Sequence, residues 1–217
     1  MTTFTTADRI AAEQRTSDWF AERVGFITGS RLNDVLAKKD SAARKNYVLQ
    51  LAIERINNKP AEPIFVNDAM QRGIDKEDDA VLCFEANTGI FTEKCGFIKS
   101  KNIEWFGASP DRLIGSDAIL ECKVPNTLTH TDYIINGKLP TKYKAQVYGQ
   151  MLVTERPRGY FMSWDDRLID GMELFVVEVG QDNEYTDNLI NEINLFNKDV
   201  FELVEKLLEK KEAMGVK

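Results

Sequence analysis

The segment Ala118 to Val124 reads Ala-Ile-Leu-Glu-Cys-Lys-Val, an apolar strand into which two opposite charges, Glu121 and Lys123, are set two residues apart. Side chains at i and i+2 of a strand point to the same face, so this acid and base are neighbours by geometry. Charges in such a run are costly unless paired or bound to metal. Just upstream, Gly115-Ser116-Asp117 has the composition of a hairpin turn, with Asp111 at the end of the segment before it. A turn there folds Asp111 back beside Glu121. Two carboxylates and one ammonium then share a site. A solvated strand pair can show the same three residues without any chemistry, and spacing alone leaves both readings open.

Phosphodiester hydrolysis explains why these residue types would be wanted together. Mg²⁺ takes oxygen ligands, commonly one or two carboxylates plus waters and substrate phosphate oxygens. Asp111 and Glu121 are the candidate carboxylates. A metal so held lowers the pKa of bound water and neutralises charge on the phosphate, and a second ion completes a two-metal site. Lys123 is placed to orient the attacking water or hold a phosphate oxygen. Slow phosphate chemistry requires removal of on the order of 20 kcal/mol of barrier. Positioning supplies roughly 7 to 11 kcal/mol, so metal electrostatics must supply the rest.

Four ordered blocks carry a family resemblance. They are Trp19-Phe-Ala-Glu-Arg-Val-Gly-Phe-Ile-Thr-Gly-Ser30, Arg72-Gly-Ile-Asp-Lys-Glu77, Ser109-Pro-Asp with Leu120-Glu-Cys-Lys-Val-Pro125, and Lys144-Ala-Gln-Val-Tyr-Gly-Gln150. Together they resemble the lambda exonuclease family, also called the YqaJ-like viral recombinase nucleases, of the PD-(D/E)XK superfamily. The resemblance covers roughly residues 15–165. It implies that Asp111, Glu121 and the main-chain carbonyl of Cys122 bind metal, that Lys123 is the catalytic lysine, and that Glu77 sits near the metals. It also implies that Gln146 helps hold the water or the scissile phosphate. Arg23, Ser30 and Ser109 match a pocket for a terminal 5′-phosphate. One departure stands out: Lys101 falls where the family has a further aspartate, leaving Glu104 or Glu77 to compensate.

Several of these residues also have plainer roles. Arg23 reads as a surface arginine of an amphipathic helix. Ser30 reads as the N-cap of a helix from Arg31 to Lys38, which is compatible with anion binding because a helix N-terminus attracts anions. Glu77 lies in the acidic run Asp75 to Asp79, which suits a solvated face. Gln146 and Gln150, four apart, share a helix face.

The chain has 217 residues, the size of one domain with a real core. No apolar run of 18 residues exists and the N-terminus lacks a secretory signal, so the expected setting is cytoplasmic, with no membrane contact. Three cysteines with no Cys-x2-Cys pair argue against a disulfide framework, a zinc site or an iron–sulfur cluster, and read as buried thiols. The single histidine, His130, excludes mechanisms needing two and reads as a loop residue. A net charge of −7 argues at first against a nucleic-acid partner. Its distribution answers this: residues 1–60 hold ten Lys or Arg against seven Asp or Glu, whereas residues 165–217 hold six against fourteen. A basic half facing DNA and an acidic outer half follow, with Lys38, Lys39, Arg44 and Lys45 as candidates for tracking the DNA backbone or as a solvated basic turn.

Periodicity predicts helices at Thr6–Glu22, Arg31–Lys38, Ala42–Asn57, Asn67–Thr88, Thr141–Val153 and Asn183–Met214. Strands are expected at Ile90–Ile98, Ile103–Ala108, Ala118–Val124, Gly159–Trp164 and Leu174–Val179, with a polar loop over Asn126–Pro140. This order predicts an α/β fold, a mixed sheet flanked by helices; a restriction-endonuclease-like core is what the resemblance implies. With the resemblance, the expectation is a Mg²⁺-dependent exonuclease, Mn²⁺ being the alternative ion and two ions occupying each site. It would digest one strand of linear double-stranded DNA from the 5′ end to mononucleotides, leaving 3′ tails for phage-type recombination in a bacterial host. A homotrimeric ring and a single-strand annealing protein as partner are implied by the resemblance alone. The rivals are an endonuclease of the same superfamily and an inactive DNA-end-binding module.

Overall fold

Strand β5 (Ala118–Lys123) is buried along its length up to Lys123, and the rest of the chain is arranged around its two faces. The computed structural model describes residues 14–61 and 67–215. In chain order the earlier elements are α1 (Ser17–Glu22), β1 (Ile27–Thr28), α2 (Leu32–Val35), α3 (Ala42–Asn57), α4 (Asp68–Thr88), β2 (Ile98–Lys99), β3 (Phe106–Ala108) and β4 (Arg112–Ile114). After β5 come α5 (Thr127–Asn136), α6 (Thr141–Thr154), β6 (Arg158–Trp164), β7 (Leu174–Val179) and α7 (Asn183–Ala213).

The larger sheet runs β4-β5-β6-β7. β4 and β5 form the expected hairpin, turning at Gly115 and pairing Arg112 with Leu120 and Ile114 with Ala118. β5 and β6 are parallel, with Lys123 opposite Ser163. A parallel neighbour needs a long crossover, here supplied by α5 and α6. A smaller sheet, β1-β3-β2, joins Ile27 to Phe106 in parallel and Ile98 to Ala108 antiparallel. The architecture is thus the mixed α/β arrangement expected, divided between two sheets.

The two-residue period of β5 sorts its side chains between two cores. Leu120 and Cys122 pack with Ala80, Val81 and Phe84 of α4. Ile119 packs on the other side with Val147 and Met151 of α6 and continues into the large core. Glu121 and Lys123, two and four residues on, therefore belong to the α6 side. Helix α6 approaches closely: a Cβ added to Gly149 would lie 2.3 Å from Leu32 Cδ1, so only glycine lets α6 settle against α2. The large core closes with α7, whose Leu189, Ile193, Phe196 and Val200 are buried. Phe196 meets Tyr47 of α3 at a ring-centroid distance of 5.3 Å.

Several boundaries differ from the sequence expectation for identifiable reasons. The segment read as a polar loop holds α5, capped by Asn126, which accepts the Thr129 N–H at 2.9 Å, and stopped by Gly137 in the left-handed region. Leu128 on this helix is 84% exposed, and only His130 and Tyr133 are buried, so no apolar stripe announced it. His130 is accordingly a helix residue in the core, its ring nitrogens meeting Ser163 Oγ at 2.7 Å and the Met172 carbonyl at 2.9 Å. Ile90–Ile98 forms strand only at Ile98–Lys99, with one bridge from Glu93 to Leu113, because most of it has no ladder partner. The helix expected from Thr6 appears as Ser17–Glu22, and residues 6–13 lie outside the described residues. The helix expected over Arg31–Lys38 is a 3₁₀ turn at Gly29–Arg31 followed by α2. α3 matches its expected span, and α4 starts at its Asn67 cap and ends at Gly89 as anticipated.

Asp165, at the end of β6, is fully buried and accepts hydrogen bonds from Arg167 Nε at 2.6 Å and Nη2 at 3.1 Å. Burial pushes its carboxyl up, but the hydrogen bonds from Arg167 and Thr127 outweigh this and bring it down to about 2. A depressed folded pKa contributes stability above the unfolded value of about 3.9, lost as pH falls toward the folded one.

Two outcomes follow from this packing. Phe196→Ala should lower unfolding free energy by about 3–5 kcal/mol in urea titration, and a loss below about 1 kcal/mol would mean that α7 does not close the core. Asp165→Asn should flatten the loss of stability between about pH 4 and about pH 2; acid-unfolding curves identical to wild type would contradict the assigned pairing.

Candidate active site

Glu121 is fully buried and is held at both oxygens. Oε1 accepts Gln146 Nε2 at 2.6 Å and forms an ion pair with Lys123, while Oε2 accepts Gln150 Nε2 at 2.5 Å. The i and i+2 geometry of β5 brings the lysine to the acid, and the i and i+4 geometry of α6 brings both amides. The Lys123 side chain remains 27% exposed and lies 5.4 Å from the Tyr143 ring centroid, so it links the buried acid to solvent. Burial pushes the Lys123 ammonium down, and the charges of Glu121 and Asp111 more than reverse this, so its pKa is raised and it stays cationic.

The hairpin returns Asp111 to the same place. Its Oδ2 accepts the main-chain N–H of Cys122 at 2.7 Å. Burial first, and then the Glu121 charge, push the Asp111 carboxyl up to about 8 against the opposing pull of Lys123. Two carboxylates that resist sharing negative charge are a donor set that a divalent cation would satisfy. Among the described residues, no three His, Cys, Asp or Glu side chains gather into a metal-binding group. Asp111 and Glu121 are a pair of carboxylates of the kind that suits Mg²⁺, an ion that keeps several waters and substrate oxygens.

Glu77 reaches this site from α4. Its side chain is 12% exposed, not the solvated residue an acidic run suggests, and its charge bears on Asp111. Arg112 Nη1 donates to Glu77 Oε1 at 2.8 Å, and Arg15 pairs with the other oxygen. Lys101, standing where the resemblance expects an acid, pairs with Glu155 at 2.6 Å. Glu104 bears on Arg55, whereas Glu77 bears on Asp111.

Asp111, Cys122 and Lys123 open into a cleft of about 920 Å³ that is also lined by Arg15, Trp19, Arg23, Ser30 and Glu77. Arg23 stacks 4.0 Å from the Trp19 ring centroid. Burial lowers its pKa to about 10, and it remains cationic at neutral pH. Trp19 Nε1 donates to Ser109 Oγ at 3.0 Å, so one indole supports two of the three residues matched to a phosphate pocket. Ser30 lies within the 3₁₀ turn and α2 has no side-chain cap, which removes its expected role as N-cap. Arg44 is not a DNA-tracking residue: it is buried, donates to the Val35 carbonyl and pairs with Asp199 at 2.8 Å. Lys39 also pairs with Asp199, at 3.1 Å, whereas Lys38 and Lys45 are exposed. Of the cysteines, Cys122 is buried and Cys83 and Cys95 are half-buried, all three as free thiols. No helix among the described residues is long and apolar enough to cross a membrane. Trp19 and Gln150 are site residues that spacing alone does not mark, although the helix face that Gln150 shares with Gln146 is a signal for it.

Residues 18–157 match the YqaJ-like viral recombinase domain model, a span that includes every site residue above except Arg15. The crystal structure of an alkaline exonuclease from Laribacter hongkongensis is similar at 35% identity and a TM-score of 0.85, over 92% of this chain and 100% of that one. The same exonuclease in complex with dAMP matches equally well. A phage-related exonuclease from Haemophilus somnus shares the fold, with a TM-score of 0.67 at 16% identity over 84% of this chain and 96% of its own. No curated protein matches the sequence.

Gln150→Leu should cost about 1–3 kcal/mol in thermal or urea unfolding by leaving Glu121 Oε2 without its donor. A variant as stable as wild type would mean that Gln150 does not support the buried acid.

Proposed function

This chain belongs to the YqaJ-like viral recombinase family, and from that premise we propose that it is a Mg²⁺-dependent 5′→3′ exonuclease acting on linear double-stranded DNA. Nuclease function follows from the family. The finer reading is carried by one observation: Asp111 and Lys123, the latter paired with the buried Glu121, line a cleft that also presents Arg23 and Ser30. Catalytic and end-recognising groups then act on one substrate.

Asp111, Glu121 and the Cys122 main-chain carbonyl would hold the cation. Bound there, Mg²⁺ or Mn²⁺, one ion or two, supplies charge neutralisation at the phosphate and a more acidic water. Lys123 carries three N–H bonds, one directed at Glu121, and offers the others to a phosphate oxygen or the attacking water. Gln146 fixes Glu121 and presents its amide beside the same water. Arg23, Ser30 and Ser109 receive the terminal 5′-phosphate. Arg23 supplies permanent charge, and Ser109, whose oxygen already accepts from Trp19, keeps its own hydroxyl proton to donate. Recognition of a terminal phosphate favours an exonuclease over an endonuclease. The buried and fully partnered Glu121 with its lysine favours an active enzyme over an inactive end-binding module, since replacing a buried ion pair with apolar residues is often neutral or stabilising.

The wider proposal is that the products are mononucleotides and 3′-tailed DNA for recombination, inside a bacterial cell carrying the phage or prophage. A homotrimer around the DNA and a single-strand annealing partner complete it, on the strength of the family resemblance.

Lys123→Ala should lower hydrolysis about 10²- to 10³-fold while DNA binding by gel shift persists. Arg23→Ala should chiefly erase the preference for 5′-phosphorylated over 5′-hydroxyl ends. Normal digestion by Lys123→Ala sinks the mechanism, and an unchanged end preference in Arg23→Ala sinks the pocket.

A further inference from the structure

Arg112 follows Asp111 on β4, and neither spacing nor family resemblance gives it a part in the site. Its side chain is only 5% exposed, and its guanidinium is divided among three acceptors. Nη1 donates to Glu77 Oε1 at 2.8 Å and to the main-chain carbonyl of Asp111 at 2.6 Å. Nη2 pairs with Asp78 one residue further along α4. Asp111 is thereby gripped twice, through its main chain by Arg112 and through its carboxylate by the Cys122 N–H at 2.7 Å. Among the described residues, the other cation paired with Glu77 is Arg15, which is 39% exposed and so a looser hold.

This arrangement needs a planar fork. Arginine presents five donors in fixed directions, whereas lysine is a point charge on a flexible stem. A lysine could neutralise Glu77 but could not also fix its distance from the Asp111 main chain. We propose that Arg112 is a positioning residue for the cation site, holding Glu77 on α4 and Asp111 just before β4 in one frame without touching substrate. The inference rests on the nuclease reading of the cleft. Outer groups that orient metal-binding side chains alter metal affinity by about 10- to 100-fold when removed, and Arg112 acts in that way.

The test titrates Mg²⁺ by calorimetry into the full-length protein without DNA, and measures kcat and KM on linear duplex. Arg112→Lys keeps the buried positive charge, and with it the fold, but loses the fork. It should bind Mg²⁺ at least about tenfold more weakly, with kcat reduced by a similar factor and KM for DNA within about twofold of wild type. Arg112→Gln should do the same or more. In a Glu77→Gln background, which removes the opposite charge together with it, Arg112→Gln should add less than about threefold, because there is then no Glu77 charge for it to hold against Asp111 and the two substitutions are coupled. A lower melting temperature with unchanged Mg²⁺ affinity and kcat would reduce Arg112 to a structural brace and overturn the inference. Full additivity of the two substitutions would overturn it as well. Wild-type protein that neither binds Mg²⁺ nor cuts DNA would instead overturn the nuclease reading itself, a result distinct from normal wild-type behaviour with unaffected Arg112 variants.

Discussion

A carboxylate with no solvent exposure, Glu121, is the constraint on which the rest depends. An unpaired buried charge is worth several kcal/mol against folding, so the fold has to deliver partners to it. It does so from two directions: β5 supplies Lys123, and α6 supplies Gln146 and Gln150. Those deliveries require α6 to lie close over the sheet, and Gly159 of β6 makes room for it: a Cβ there would lie 3.0 Å from Val147 Cγ1 of α6. Folding and the proposed chemistry thus draw on one set of contacts.

The second carboxylate is managed differently. Asp111 is held by main-chain groups and by Arg112 but has its charge opposed by Glu121, so its carboxyl is pushed upward. The site is satisfied around one acid and electrostatically frustrated at the other. Such local conflict is characteristic of functional positions, where the surrounding fold holds in place what isolated residues would avoid. Arg44 shows the contrasting case: buried on α3, it is engaged by Asp199 of α7, where charge serves to pin the long helix to α3.

Much of this was legible in the sequence, for reasons that also mark where legibility ends. The strand period placed Glu121 beside Lys123, the Gly115 turn returned Asp111, and helical spacing found α3, α4, α6 and α7. Helix α5 was illegible because it buries little, so turn-forming and threonine residues dominated its appearance. β1 and β2 are two residues each, too short for any period. Ile90 to Ile98 has strand composition, but pairing depends on a neighbour that sequence does not provide. Arg112 was hidden because its partners on α4 lie 34 and 35 positions away, a proximity created only when α4 packs against the β4–β5 hairpin. Trp19 carries no sequence signal of its role, since its link to Ser109 spans 90 positions.

The most direct measurement is digestion of linear duplex DNA beside a closed circular plasmid, each with Mg²⁺ and with EDTA. The account predicts loss of the linear duplex only when Mg²⁺ is present, with the circle left intact. Cutting of the closed circle, or digestion of the linear duplex in EDTA, would contradict it.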